Sequence, residues 1–84
     1  MFNVEFSTQA KKFLKNSVKE LAVRLIQKIE NLAVEPFPSD VKRVVNRQEK
    51  IFRVRVGDYR IQYCVIYDKN LIFITEIEKR PRAY

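Results

Sequence analysis

Arginine residues cluster in two short stretches of the sequence, RVRVGDYRIQY at 53–63 and EKRPRAY at 78–84. The guanidinium group is planar, stays protonated and can donate two parallel hydrogen bonds to a phosphate. Such clusters are suited to binding a polyanion and to stabilising the charge that develops on phosphoryl oxygens. They are unsuited to removing a proton, because arginine does not act as a general base in proteins.

A two-residue turn at Gly57 and Asp58 would join the residues around it into an antiparallel hairpin. Side chains then alternate between two faces of the hairpin. One face is apolar and contains Phe52, Val54, Val56, Tyr59, Ile61, Tyr63 and Val65. The other face contains Arg53, Arg55, Arg60 and Gln62. Arg55 and Arg60 face each other directly, a repulsion that a bound polyanion would relieve.

The register of the next hairpin follows from where its acidic residues must point. A three-residue loop at 68–70 places three apolar residues in the core: Leu71, Phe73 and Ile77. It also places Glu76 and Glu78 beside the arginines. A two-residue loop would bury Glu76 next to Ile61 at a cost of several kcal/mol, so we exclude it.

The C-terminal stretch brings further cations toward the same face. Pro81 is expected to end the last strand, which leaves Arg80, Arg82 and Tyr84 close to the arginines of the hairpin. One alternative is a solvated face partly neutralised by Glu76 and Glu78, since single exposed charges contribute little. Because the arginines converge by geometry, we favour a nucleic-acid site.

The first half of the chain has the patterns of a strand followed by two helices. FNVEF at 2–6 alternates apolar and polar residues as a half-buried strand does. Ser7 or Thr8 is the predicted cap of a first helix. SVKE at 17–20 matches a capping box, and apolar residues at helical spacing from 18 to 32 predict a second helix that packs on the sheet.

The second half has the patterns of four strands. VEPFPSD at 34–40 is a connection, because proline disfavours helix interiors. Four β-rich runs follow: VKRVV, IFRVRV, YRIQYCVIY and LIFITEI, with breaks at 46–50, 57–58 and 68–70. The predicted fold is α+β, with the order β-α-α-β-β-β-β in one domain over residues 1–84. We expect an antiparallel sheet whose last four strands form a meander, with both helices on one face.

Composition excludes several classes of function. Lys and Arg number 17 against 10 Asp and Glu, a net charge of +7 typical of nucleic-acid binders. A single cysteine, Cys64, and no histidine exclude an internal disulfide and the usual zinc sites. No metal or cofactor is therefore predicted. No apolar run reaches the roughly 18 residues of a membrane span, and we expect a cytoplasmic protein without a membrane partner.

The stretch FRVRVGDYRIQY, together with the closing KRPRAY, resembles the RelE/ParE superfamily of toxins from type II toxin-antitoxin systems, and in particular the RelE branch. The resemblance covers the whole chain in element order. It implies a metal-independent endoribonuclease, an mRNA interferase, that enters the ribosomal decoding site. There it would cleave mRNA by attack of the 2′-hydroxyl on the adjacent phosphate. It also implies a RelB-like antitoxin as partner.

The resemblance implies roles for five of the arginines and for Tyr84, and Gln62 is added because it shares their face of the hairpin. Arg60 and Arg80 are the expected catalytic cations, and Tyr84 is expected to stack on RNA and assist proton transfer. The expected RNA- and phosphate-binding residues are Arg53, Arg55, Gln62 and Arg82. Tyr84 is the first candidate for the proton transfer that arginine cannot perform, followed by Glu78 or Glu76.

Two other functions fit the same residues. A ParE-like inhibitor of DNA gyrase would use the fold without any nuclease activity, although the C-terminal Arg80, Arg82 and Tyr84 favour RelE. A non-catalytic RNA- or DNA-binding module would need only the basic face.

Overall fold

Two helices and five strands follow the predicted order along the chain. The structure, a computed structural model, describes residues 1–44 and 50–80. The helices are α1 (Thr8–Lys15) and α2 (Lys19–Val34), and the strands are β1 (Asn3–Phe6), β2 (Lys42–Arg43), β3 (Phe52–Val56), β4 (Tyr59–Ile66) and β5 (Leu71–Lys79). Most of the predicted break at 46–50 lies outside the described residues. Neither helix of the described part is long and apolar enough to cross a membrane.

The five strands form one sheet in the order β1-β5-β4-β3-β2. Strands β2 to β5 are an antiparallel meander, and both helices lie on one side, as predicted. The expectation of a wholly antiparallel sheet is wrong for β1, which runs parallel to β5. An alternating pattern reveals that a segment is a strand but carries no information on its direction.

The apolar face of the β3–β4 hairpin packs against α2. Val54, Ile61 and Tyr63 are at most 1% exposed and contact a cluster that includes Leu25 and Ile29 of α2. Burying a side chain of this size contributes about 1.5–3 kcal/mol relative to leaving it exposed. This packing determines which side of the hairpin faces solvent.

The β4–β5 hairpin changes register at a β-bulge. Near its loop Ile66 pairs with Leu71 and Tyr63 with Ile74, whereas Gln62 pairs with Glu76, so Thr75 is the extra residue. The predicted three-residue loop is wrong, because 67–70 contains a 3-10 turn closed by Asn70 in the left-handed conformation.

The bulge allows the two halves of β5 to pair with β4 in two different registers. The loop register buries Ile72 and Ile74, and Phe73, predicted in the core, lies on the other face at intermediate exposure. Continued without a bulge, that register would turn Glu76 toward the core. The extra residue at Thr75 restores the predicted pairing of Glu76 with Gln62 and of Glu78 with Arg60.

The two helices begin differently. Ser7 caps α1 as predicted, since its Oγ accepts a hydrogen bond from the Ala10 amide at 3.1 Å. The predicted capping box at 17–20 is wrong: Val18 occupies the cap position of α2 and makes no side-chain cap bond. The Ser17 hydroxyl instead donates to the Phe13 carbonyl at 2.6 Å, so this side chain binds the end of α1 and not the start of α2.

The start of α1 also holds the end of β5. Strand β1 stops at Phe6, opposite Ile74, and leaves the rest of β5 without a neighbouring strand on that side. The side-chain Nε2 of Gln9 donates to the Ile77 carbonyl at 2.7 Å, and its Oε1 accepts from the Ile77 backbone amide at 2.9 Å. Gln9 thus forms the hydrogen bonds to the backbone of β5 that a further residue of β1 would have formed.

The connection after α2 is anchored to the sheet by Tyr63. Its hydroxyl donates to the Pro36 carbonyl at 2.6 Å, and Phe37 packs edge-on against Phe52. Burial, and to a lesser degree the charge of Asp40, raises the pKa of Tyr63 above its usual value of about 10. The ring is therefore held in its neutral, donating form.

We predict that Tyr63→Phe lowers the free energy of unfolding at pH 7 by about 1–2 kcal/mol, because the Pro36 carbonyl loses its donor. The difference from wild type should shrink above about pH 10, where the unfolded tyrosine ionises and only the wild type loses stability. Urea unfolding between pH 7 and 11 measures both effects. A difference that stays constant with pH would contradict the assignment of the raised pKa to Tyr63.

Candidate functional site

The polar side of the β3–β4 hairpin is a surface rich in arginine, here called the basic face: Arg53, Arg55, Arg60 and Gln62. The predicted register is confirmed, with Arg55 opposite Arg60 and Arg53 opposite Gln62. Arg55 is exposed and the other three are partly buried. The hairpin turns at Gly57, whose φ of 59° is a conformation that favours glycine.

Lys42 adds a cation that the sequence did not reveal. It lies opposite Arg53 across β2 and β3, so its side chain is on the same side of the sheet. The position of Lys42 opposite Arg53 could not be predicted, because the residue pattern between 44 and 52 specifies no register between β2 and β3. Lys42, Arg53 and Arg55 line a groove of about 250 Å³ together with Asp40 and Val54, here called the edge groove.

Arg60 is held between a cation and an anion. Arg55 faces it from β3, and Glu78 of β5 accepts a hydrogen bond from Arg60 Nη2 at 2.5 Å. The side chains of Arg60 and Glu78 are 20% and 29% exposed. Arg60 Nε is buried and has no hydrogen-bond partner within the described residues. The guanidinium is therefore fixed within the face and oriented by Glu78.

Arg80 lies where the last strand meets the hairpin turn. Its backbone amide donates to the Asp58 carbonyl at 2.6 Å, and its side chain is partly buried. This backbone contact places Arg80 at the same end of the sheet as Arg55 and Arg60. Arg82 and Tyr84, the other predicted C-terminal site residues, lie outside the described residues, and so does Pro81.

The described site is well supplied with donors and poorly supplied with bases. Its guanidinium groups can donate to phosphate oxygens but do not accept a proton at neutral pH. Glu76 and Glu78 are the carboxylates nearest in register, and Glu78 is bound to Arg60. Within residues 1–44 and 50–80, no three cysteine or carboxylate side chains gather as a metal site.

This fold with a cationic sheet face defines a class of proteins. The family model described as the ParE toxin of the type II toxin-antitoxin system parDE matches residues 4–84. The chain belongs to this family, and so to the RelE/ParE superfamily of toxins. Within the superfamily it is a toxin of the RelE type.

Individual relatives support the RelE type. The chain is 36% identical to a protein named RelE1 from Methanocaldococcus jannaschii, over 99% of this chain and 94% of that one. It is similar to the toxin in the RelE–RelB complex of Pyrococcus horikoshii, with a TM-score of 0.82, 29% identity and 98% coverage of each chain. The isolated Escherichia coli RelE toxin has the same fold, with a TM-score of 0.84, 19% identity and coverage of 99% and 88%.

We predict that Arg55→Gln raises the free energy of unfolding by about 0.5 kcal/mol, because it removes the repulsion between Arg55 and Arg60. The gain should diminish at high salt. The matched control is Arg43→Gln, which removes an exposed arginine that lies opposite Phe52 instead of a cation. Equal stability changes in the two variants, measured by urea unfolding at low and high salt, would show that the opposed arginines do not repel measurably.

Proposed function

We propose that this toxin is a metal-independent endoribonuclease that cleaves mRNA in the decoding site of the ribosome. The observation that carries the proposal is the basic face, in which Arg53, Arg55 and Arg60 lie on one side of the β3–β4 hairpin. Membership of the superfamily and similarity to RelE toxins support the same function.

The proposed reaction uses a nucleophile that RNA itself supplies. The ribose 2′-hydroxyl loses its proton and attacks the adjacent phosphorus, while the bond to the 5′-oxygen breaks and that oxygen gains a proton. The products are a 2′,3′-cyclic phosphate and a 5′-hydroxyl. Catalysis requires alignment of the attacking and leaving oxygens and donors for the charge on the phosphoryl group.

In this mechanism each residue has one role. Arg60 and Arg80 stabilise the charge on the phosphoryl oxygens. Four residues bind the neighbouring nucleotides: Arg53, Arg55, Gln62 and Arg82. Tyr84 stacks on a base and assists proton transfer. Its phenol can donate or accept a proton, which a guanidinium group does not do.

The shape of the site supports dependence on the ribosome. The basic face lies on the side of the sheet that the helices leave uncovered, and the edge groove borders it. Such a surface can contact an RNA strand from one side, whereas in-line attack requires the strand to be held in a defined conformation. The ribosome would supply the opposite wall by holding the mRNA in its decoding site.

An antitoxin is the proposed protein partner. Complexes of RelE with RelB from Pyrococcus horikoshii and Escherichia coli contain toxins with this fold. The net charge of +7 favours an acidic or amphipathic partner that covers the basic face. In the cell this partner would be a RelB-like antitoxin that blocks the site, and both proteins would be cytoplasmic.

Inhibition of DNA gyrase is a second candidate, because the matching family model is that of the ParE toxin. A non-catalytic nucleic-acid-binding module is a third, for which the basic face alone would suffice. Both lack RNA cleavage. A supercoiling assay with gyrase and a cleavage assay on the same preparation therefore separate the three functions.

We predict that the protein, added to an in vitro translation reaction, cuts mRNA at positions in phase with codons and leaves 2′,3′-cyclic phosphate ends. Arg60→Gln should slow cleavage by about 100-fold, because a donor to the transition state is lost. Arg60→Lys keeps the charge beside Glu78 and should recover part of the rate. Cleavage sites and rates are read by primer extension.

Two controls sharpen this experiment. Lys11→Gln removes an exposed cation of α1, distant in sequence from the basic face, and should cut as the wild type does. Tyr84→Phe should lower the rate more than it weakens ribosome binding. Intact mRNA with wild-type protein, combined with loss of gyrase supercoiling, would refute the nuclease and establish the ParE-like function.

A further inference from the structure

A second cationic groove lies at the tip of the β3–β4 hairpin, between the turn and α2. It measures about 260 Å³ and is here called the tip groove. Its lining consists of Arg24, Gln27, Lys28, Asn31, Arg55, Val56 and Gly57. Three of these residues are cations, two are amides and none is acidic. The α2 residues that line the tip groove have no role in the proposed cleavage reaction.

The guanidinium of Arg24 lies next to the hairpin turn. A Cβ placed on Gly57 would lie 2.8 Å from Arg24 Nη2, closer than such atoms approach in proteins. The absence of a side chain at Gly57 therefore lets the guanidinium of α2 reach the turn. The same glycine supplies the left-handed conformation of the turn, so one residue serves both the hairpin and this contact.

The charges in the tip groove are incompletely neutralised. Lys28 makes a salt bridge to Asp40 at 3.1 Å. Within residues 1–44 and 50–80, neither Arg24 nor Arg55 has a salt bridge. In the part of the chain that the structure describes, two guanidinium groups from different elements thus line one groove without a salt-bridge partner, an arrangement that an anion would stabilise.

The tip groove is continuous with the site already described. Arg55 lines both the tip groove and the edge groove, and it belongs to the basic face. Asp40 lines the edge groove and binds Lys28 of the tip groove. Arg55 therefore connects the basic face with the tip groove, and a strand bound at Arg55 lies next to the groove that contains Arg24.

We propose that the tip groove binds the sugar-phosphate backbone of the same RNA strand, with Arg24 and Arg55 donating to one phosphate beyond the reacting nucleotides. This inference rests on the proposed function, because the strand is the one that occupies the basic face. Gln27 and Asn31 can contact ribose hydroxyls. The lining favours RNA over an acidic peptide, since a peptide interface draws on buried apolar anchors and only Val56 is apolar here.

The test is the affinity of a fluorescent single-stranded oligoribonucleotide for Arg24→Gln at several salt concentrations. We expect binding weaker by about three- to tenfold and a salt-dependence slope smaller by about 0.7, the value for one lost phosphate contact on a single strand. The loss should be similar for oligonucleotides of different sequence, because phosphate contacts carry no base information.

Matched variants make the result specific. Lys12→Gln removes the same charge from an exposed position on α1 and should change the affinity by less than twofold. Arg53→Gln removes a cation of the basic face and should weaken binding independently of the tip groove. Arg24 is exposed on α2, so its replacement leaves the core intact, and circular dichroism checks the fold of each variant.

The outcomes separate the two proposals. If Arg24→Gln binds as Lys12→Gln does while Arg53→Gln binds weakly, the tip groove is not an RNA site and the proposed function stands. If Arg24→Gln impairs binding of poly-glutamate but leaves RNA binding unchanged, the groove is a peptide site and the inference is overturned. If the wild type and all variants fail to bind the oligonucleotide, the inference is overturned, and the proposed function is decided separately by mRNA cleavage in the translation reaction.

Discussion

The burial of one face of the β3–β4 hairpin against α2 is the constraint on which the site depends. Val54, Ile61 and Tyr63 are excluded from water, and side chains alternate along each strand. Their neighbours in sequence must then face solvent on the opposite side. The hydrophobic contribution of the buried face exceeds the repulsion between Arg55 and Arg60, which amounts to less than about 1 kcal/mol.

A second constraint is the β-bulge in β5, which lets one strand contribute both to the core and to the basic face. Before Thr75 the strand presents Ile72 and Ile74 to the core, and after it the strand presents Glu78 to Arg60. Gln9 then binds the backbone on both sides of Ile77, where β1 no longer accompanies β5. The segment that orients Arg60 and leads to Arg80 is thus fixed by a side chain of the first helix.

The electrostatics of the surface fit a partner with regularly spaced negative charges. Cations occur on the basic face, at its border with β2, and at the hairpin tip, and few carboxylates lie among them. A folded protein tolerates such a distribution because water and salt screen exposed charges, and a polyanion gains from displacing counter-ions. The arginines among these cations do not transfer protons, and in the proposed chemistry that task falls to the C-terminal Tyr84.

Local sequence was sufficient for much of this architecture. The two-residue turn at Gly57 and the period of two together specify the pairing of β3 with β4, and hence the core residues and the arginines of the basic face. Both signals lie within a dozen neighbouring residues, and no distant contact is needed to interpret them. The energetic cost of burying the Glu76 carboxylate likewise predicted correctly on which side of the sheet this residue lies.

Other features were decided only by the tertiary structure. The parallel pairing of β1 with β5, the bulge at Thr75, the position of Lys42 beside Arg53 and the contact of Arg24 with Gly57 all join segments separated in sequence. The Ser17 hydroxyl could cap a second helix or bind a carbonyl at the end of the first, and it binds the Phe13 carbonyl of α1. These choices depend on which surfaces meet once the helices cover the sheet, and a residue pattern records the period of a segment but not its partner.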